Sequence, residues 1–197
     1  ISVALSERLA RAHAGAGQRY VSAPVFGRPE AAAAKQLFFV ACGEADAVAA
    51  CAPLFEAMGQ RTFVLSERPE AANLVKLSGN FLITAVIEAL GEAIALVERG
   101  GIDSHAYLDL LTSTLFGAPI YKTYGALIVD RTFEPAGFAA SLGAKDVRRA
   151  LAAAEALGVP LPLASLVRDR FVRLAAHGKS HLDWSAIGRL PSDDAGL

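Results

Sequence analysis

Lys76 and Asn80 are the residues whose types and spacing most directly suggest chemistry. They stand four apart near the start of PEAANLVKLSGNFLITAVIEALGEAIALVERGG, a segment that opens on Pro69 and closes on Gly100 and Gly101. Burying an ammonium is costly unless it is paired or used. At about 100° per residue, Asn73, Lys76, Asn80, Thr84 and Glu88 share a helical arc of roughly 120°, a polar ribbon down an apolar rod. Two arrangements fit this spacing. Lys76 can snorkel from the first turns, leaving the ribbon as a solvated face. Alternatively, the ribbon lines a cleft where a sheet domain meets a helical one. A partly desolvated lysine there has a lowered pKa and trades a proton near neutral pH, while an asparagine one turn away holds it or a ligand.

The elements that must position these residues follow from pattern. Val3, Leu5 and Leu9 among small and charged residues predict a helix over 2–14 that ends at Gly15 to Gly17. RYVSAPV (19–25), LFFVACG (37–43) and RTFVLS (61–66) read as strands. FGRPEAAAAKQ is a loop with one helical turn, and EADAVAACAPLFEAMG (44–59) is a helix closed by Gly59. Strand and helix alternate, so this part is α/β.

From Pro69 onward only helices are predicted. The first runs to about Arg99, about 30 residues or about 45 Å, with Pro in its first turn. Others follow at 103–116, 120–130, 141–157, 161–177 and 183–189, with Asp103 and Asp183 as caps and Gly158 and Gly178 as stops. The boundary near 66 to 69 divides the chain into 1–66 and 67–197. A long helix that is apolar nearly all round must be surrounded, either as a central strut or across a dimer interface. Ser78, Gly79 and Gly91 allow its neighbours to come close.

The 197 residues are 53% hydrophobic and 20% charged, with a formal net charge of −1 and the basic residues scattered. That suffices for a substantial core and shows no basic footprint for nucleic acid. The most apolar window, 81–97, contains Glu88 and Glu92 and falls short of a clean membrane span, so no membrane is expected. Cys42 and Cys51 lack His or Cys partners at metal-ligand spacing and read as buried thiols, which suits a reducing cytoplasm. No metal site is expected. The four histidines read as surface or helix-end residues. There is no signal-peptide pattern at the amino end.

NLVKLSGN, with Lys and Asn four apart at the start of a long helix, resembles the catalytic motif of the β-hydroxyacid dehydrogenases, the family of 3-hydroxyisobutyrate dehydrogenase. YVSAPVFGRPEAAAAKQLFFVACG is similar to the family's strand, substrate-binding glycine loop and following strand. EALGEAIALVERGGID resembles the remainder of its long helix, and FAASLGAKDVRRALAAAEALGVPLPL its later Lys-Asp segment. The resemblance implies an α/β remnant of a Rossmann-type nucleotide-binding domain (1–66), then an all-α substrate and dimerisation domain (67–197) built on one long central helix. It further implies hydride transfer between NAD or NADP and a small 3-hydroxy acid, and a homodimer or homotetramer formed through the helical domain. In that frame Lys76 is the general acid or base, Asn80 positions the substrate, and Lys145 lies near the nicotinamide and substrate.

The chain also departs from the family pattern. Phe26, Gly27 and Arg28 stand where the substrate-binding loop usually reads Ser-Gly-Gly. Gly27 keeps one close backbone approach, Phe26 makes the pocket more apolar, and Arg28 either grips a carboxylate or points to solvent. Gly79 stands where relatives often have Asn. A G-x-G-x-x-G turn between a strand and a helix is missing; GAGQRY at Gly15 to Tyr20 runs from helix into strand, the reverse order. The chain begins with Ile and enters directly into structure, so it reads as a carboxyl-terminal fragment that is inactive alone. A non-catalytic oligomerisation module and an imine-reducing enzyme are the alternatives. The first needs none of Lys76, Asn80 and Lys145, and relatives of the second kind usually lack the lysine.

Overall fold

In the computed structural model, which describes residues 1–197, the elements run α1 (Val3–Gly15), β1 (Val25–Phe26), α2 (Pro29–Ala33), β2 (Leu37–Cys42), α3 (Ala45–Met58), β3 (Gly59–Ser66) and α4 (Pro69–Arg99). Then come α5 (Ser104–Ser113), α6 (Pro119–Val129), α7 (Ala140–Leu157), α8 (Pro162–Ala176), a 3-10 helix (Trp184–Arg189) and α9 (Leu190–Asp194). The class is the expected one: α/β first, then helices alone, built on one long helix. Two compact units are present, Ile1–Gly79 with Ala152–Val159, and Asn80–Leu151 with Pro160–Leu197.

In the first unit the sheet order is β1-β2-β3, with β1 antiparallel and β3 parallel to β2. Alternation along β2 divides its side chains between two small cores. Phe39 and Ala41 pack with Val48 and Phe55 of α3, while Val40 and Cys42 pack with Ala72 of α4 and with Phe26. The strand expected over 19–25 is shorter than predicted. Only Val25–Phe26 is regular strand, preceded by a single bridge from Ser22 to Cys42. Pro24 interrupts the ladder because it has no N–H to give, although its carbonyl still accepts from Val40 N at 2.9 Å. Of the two free cysteines, Cys42 is buried and Cys51 only partly so.

The second unit has one core, with Ile87, Leu90 and Ile94 of α4 among Tyr124, Ile128, Val147, Val167, Phe171 and Trp184. A Cβ on Gly91 would lie 2.6 Å from Cα of Gly188, so α4 meets the 3-10 helix backbone to backbone. Asp103 and Asp183 cap as predicted, accepting from Ala106 N and Ser185 N. Gly158 and Gly178 take the left-handed conformation, with φ of 67° and 73°, that lets a chain leave a helix. The segment expected as a helix over 183–189 is a 3-10 turn followed by α9. By length and composition α4 is apolar enough to cross a membrane. Its Thr84 and Glu88, however, are buried polar residues with partners inside the protein.

Candidate active site

In the first unit Lys76 is half-buried on α4, and its Nζ lies 4.1 Å from the ring centroid of Phe26, a cation–π distance. Phe26 reaches this position from β1, where it pairs with Phe38 of β2. Its ring also occupies the space beside Gly79: a Cβ there would stand 2.5 Å from Phe26 Cζ. One helical turn before Lys76, the buried Asn73 accepts a hydrogen bond from Ser22 Oγ at 2.8 Å. Gly27 has φ of 142°, and a Cβ on it would meet Leu37 Cδ2 at 2.7 Å, so glycine is required there by backbone and packing alike. Arg28 precedes α2 as its N-cap residue and is half-buried, its Nε 3.9 Å from Glu30 Oε2.

In the second unit Asn80 is 2% exposed, and its Nδ2 donates to Asp146 Oδ2 at 2.8 Å. The other oxygen of Asp146 lies 3.2 Å from Lys145 Nζ. Thr84, fully buried, donates to the carbonyl of Phe81 at 2.8 Å. Glu88 is buried against Arg170, whose Nε donates to Oε1 at 2.6 Å, while Oε2 has no hydrogen-bond partner. Arg170 also contacts Asp194 at 2.9 Å and Glu92 at 3.7 Å. Burial pushes the Glu88 carboxyl up from its ordinary value, a push the Arg170 hydrogen bond and charge oppose without overcoming.

The ribbon is therefore not a solvated face. Asn73, Asn80, Thr84 and Glu88 are all buried, and each has a partner inside the protein. The structure brings Phe26 to Lys76, and it brings Asn80 and Lys145 to the same carboxylate. It sets Gly27 against Leu37 and Arg28 beside Glu30. Asp146, Ser22 and Arg170 were not singled out from sequence. The Lys145-Asp146 dipeptide was the signal for the first, but nothing local tells an acid that its partner lies 66 residues away.

Residues 71–190 match the family model described as NAD-binding of NADP-dependent 3-hydroxyisobutyrate dehydrogenase, and residues 1–66 that of the NAD binding domain of 6-phosphogluconate dehydrogenase. The chain is 43% identical over 187 residues to an oxidoreductase of Bacillus subtilis strain 168, YfjR, covering 95% of this chain and 65% of that one. It is 29% identical over 182 residues to glyoxylate/succinic semialdehyde reductase 1 of Arabidopsis thaliana, covering 92% of this chain and 62% of the other. The crystal structure of a 3-hydroxyisobutyrate dehydrogenase from Salmonella typhimurium superposes with a TM-score of 0.87 at 27% identity, covering 96% of this chain and 66% of that one. The chain thus spans about two thirds of the length of such relatives. With a family model matched over most of its length and the same fold in a solved relative, this chain belongs to the β-hydroxyacid dehydrogenase family.

Proposed function

We propose that this chain serves an NAD(P)-dependent oxidoreductase that interconverts a small 3-hydroxy acid and its semialdehyde or keto form. The observation that carries the reading is the inward-facing ribbon of α4: a half-buried lysine, then one turn later a buried asparagine tied to Asp146. Lys76 acts as general acid or base at the substrate hydroxyl. As its ammonium it gives a proton to the oxygen that becomes negative on reduction, and as its amine it removes that proton on oxidation. Asn80 orients the substrate from a side chain that Asp146 holds in place. Gly27 and Arg28 hold the carboxylate, Phe26 supplies an apolar wall, and Lys145 lies toward the nicotinamide.

A bound nicotinamide supplies or accepts hydride at C4. The residues present fit that group at one end only. The glycine turn at Gly15 to Gly17 follows the carboxyl end of α1, where the negative end of the helix dipole repels phosphate. It forms no cradle of the kind a helix amino terminus provides. The parts proposed are 1–66 as the carboxyl-terminal portion of the NAD(P)-binding domain and 67–197 as the all-α substrate and dimerisation domain. Exposed Leu82, Leu96 and Leu115 in the helical unit support assembly through it.

The test assays the full-length protein carrying this sequence against a panel of 3-hydroxy acids and semialdehydes with each cofactor. Lys76→Ala is expected to lower kcat by roughly 100-fold or more, the range for loss of a general acid or base. Undiminished turnover in a folded Lys76→Ala protein removes the reading.

A further inference from the structure

Three facts meet at one aromatic ring. Lys76 Nζ lies 4.1 Å from the centroid of Phe26. A Cβ at position 79 would stand 2.5 Å from Phe26 Cζ and 2.6 Å from Cε1, closer than side-chain atoms tolerate. Phe26 itself packs against the buried cluster of Val40, Cys42 and Ala72, as do Ala71 and Val75. Lys76 and Gly79 are three apart on α4, so they share a face of the helix and one ring can touch both.

We infer that Phe26 is a positioning residue for Lys76 and that Gly79 is the seat that admits its ring. This rests on the proposed role of Lys76 as general acid or base. A lysine ammonium on its four-carbon stem samples many positions, and proton transfer needs one of them. The face of an aromatic ring attracts the ammonium without bonding to a proton, so it restricts Nζ while leaving its hydrogens to other partners. Any side chain at position 79 pushes the ring out from beneath the ammonium. Phe26 and Gly79 therefore act as one unit: the large residue on β1 works only opposite the absent side chain on α4.

The full-length protein carrying this sequence is compared with its Phe26→Leu, Gly79→Ala, Phe26→Leu/Gly79→Ala and Phe26→Tyr variants, using the 3-hydroxy acid that turns over best. Loss of the cation–π contact in Phe26→Leu or Gly79→Ala is expected to lower kcat by roughly 3- to 30-fold with little change in KM. Phe26→Tyr, which keeps the aromatic face, is expected to retain more of kcat than Phe26→Leu. The double variant is no slower than the slower single one, because both changes break the same contact.

Trace acetylation with acetic anhydride, read by mass spectrometry at Lys76 and normalised to the exposed Lys35, needs no turnover. It is expected to accelerate at Lys76 in Phe26→Leu and Gly79→Ala and to stay slow in Phe26→Tyr. Additive losses in the double variant, or unchanged kcat and unchanged labelling in Phe26→Leu, overturn the inference while leaving the proposed function standing. If the unmodified protein oxidises no hydroxy acid, the proposed function fails and Phe26 has no general acid or base to position. The labelling then reports only the ring's hold on the ammonium.

Discussion

Asn80 Nδ2 donates to Asp146 Oδ2 at 2.8 Å, and both side chains are buried. The bond ties α4 to α7 across 66 residues of sequence, and the second carboxylate oxygen is taken by Lys145 at 3.2 Å. Asp146 is thereby approached by a donor on each oxygen, which is how a buried carboxylate becomes tolerable. Asn80 gains a fixed orientation from the same contact.

Asn80→Ala removes that donor and leaves a buried carboxylate oxygen without it. Hydrogen bonds to charged groups are worth about 1.5–3 kcal/mol, and a loss of that size is expected in urea unfolding. Asn80→Asp, which sets a second carboxylate against the first, is expected to cost more. A double-mutant cycle with Asp146→Ala isolates the pair; a coupling energy near zero would show that the two side chains are independent.

Asp183, 1% exposed, accepts from four donors. Oδ2 takes the backbone N–H groups of Gly137 and Phe138 at 3.0 and 3.1 Å, and Oδ1 takes Ser185 N at 3.0 Å and Ser185 Oγ at 2.7 Å. It pins the loop before α7 to the start of the 3-10 helix. Asp183→Ala orphans these donors and is expected to cost about 3 kcal/mol or more. In a protein of this size that lowers the unfolding midpoint by about 6 to 12 °C, readable by calorimetry. A drop below about 2 °C would mean that water replaces the carboxylate without loss.

Glu88 and Asp194 share Arg170 yet respond oppositely to pH. Burial raises Glu88 above its ordinary 4.5, so above pH 4.5 the folded chain keeps a proton that the unfolded chain has released, and stability from this group falls as pH rises through the window. Asp194 is held below its ordinary 3.8, first by its hydrogen bond to Arg173 and then, against slight burial, by Arg170. Its contribution is present above pH 3.8 and is lost as pH falls. Unfolding free energies in pH steps are expected to show the unmodified protein losing ground to Glu88→Gln as pH rises above 4.5, and gaining on Asp194→Asn as pH rises through 3.8. A flat comparison with Glu88→Gln would show that attraction to Arg170 cancels the cost of burial.

Much of the fold was legible because its signals are local. Pro69 and Gly100 bracket α4, Asp103 and Asp183 announce helix starts, and Gly158 and Gly178 mark ends. Each of these acts within a turn or two of chain, where backbone sterics and capping decide the outcome. The strand over 19–25 is shorter than its β-forming residues suggest, because Pro24 among them has no N–H to give to the ladder. The 3-10 turn after Asp183 was missed because its form depends on packing against α4, where Gly188 meets Gly91.

By itself the sequence determined that Asn73, Lys76, Asn80, Thr84 and Glu88 lie on one side of one long helix, since helical periodicity needs only the order of residues. Whether that side faces water or protein was decided by tertiary structure. Ser22, Asp146 and Arg170, which bond to Asn73, Asn80 and Glu88, stand 51 to 82 residues away in sequence. Likewise the phenylalanine in the glycine loop and the glycine after Lys76 looked like two separate departures from the family pattern. Only the approach of β1 to α4 shows that a ring on one fills the space left open on the other, because steric fit depends on distance in space.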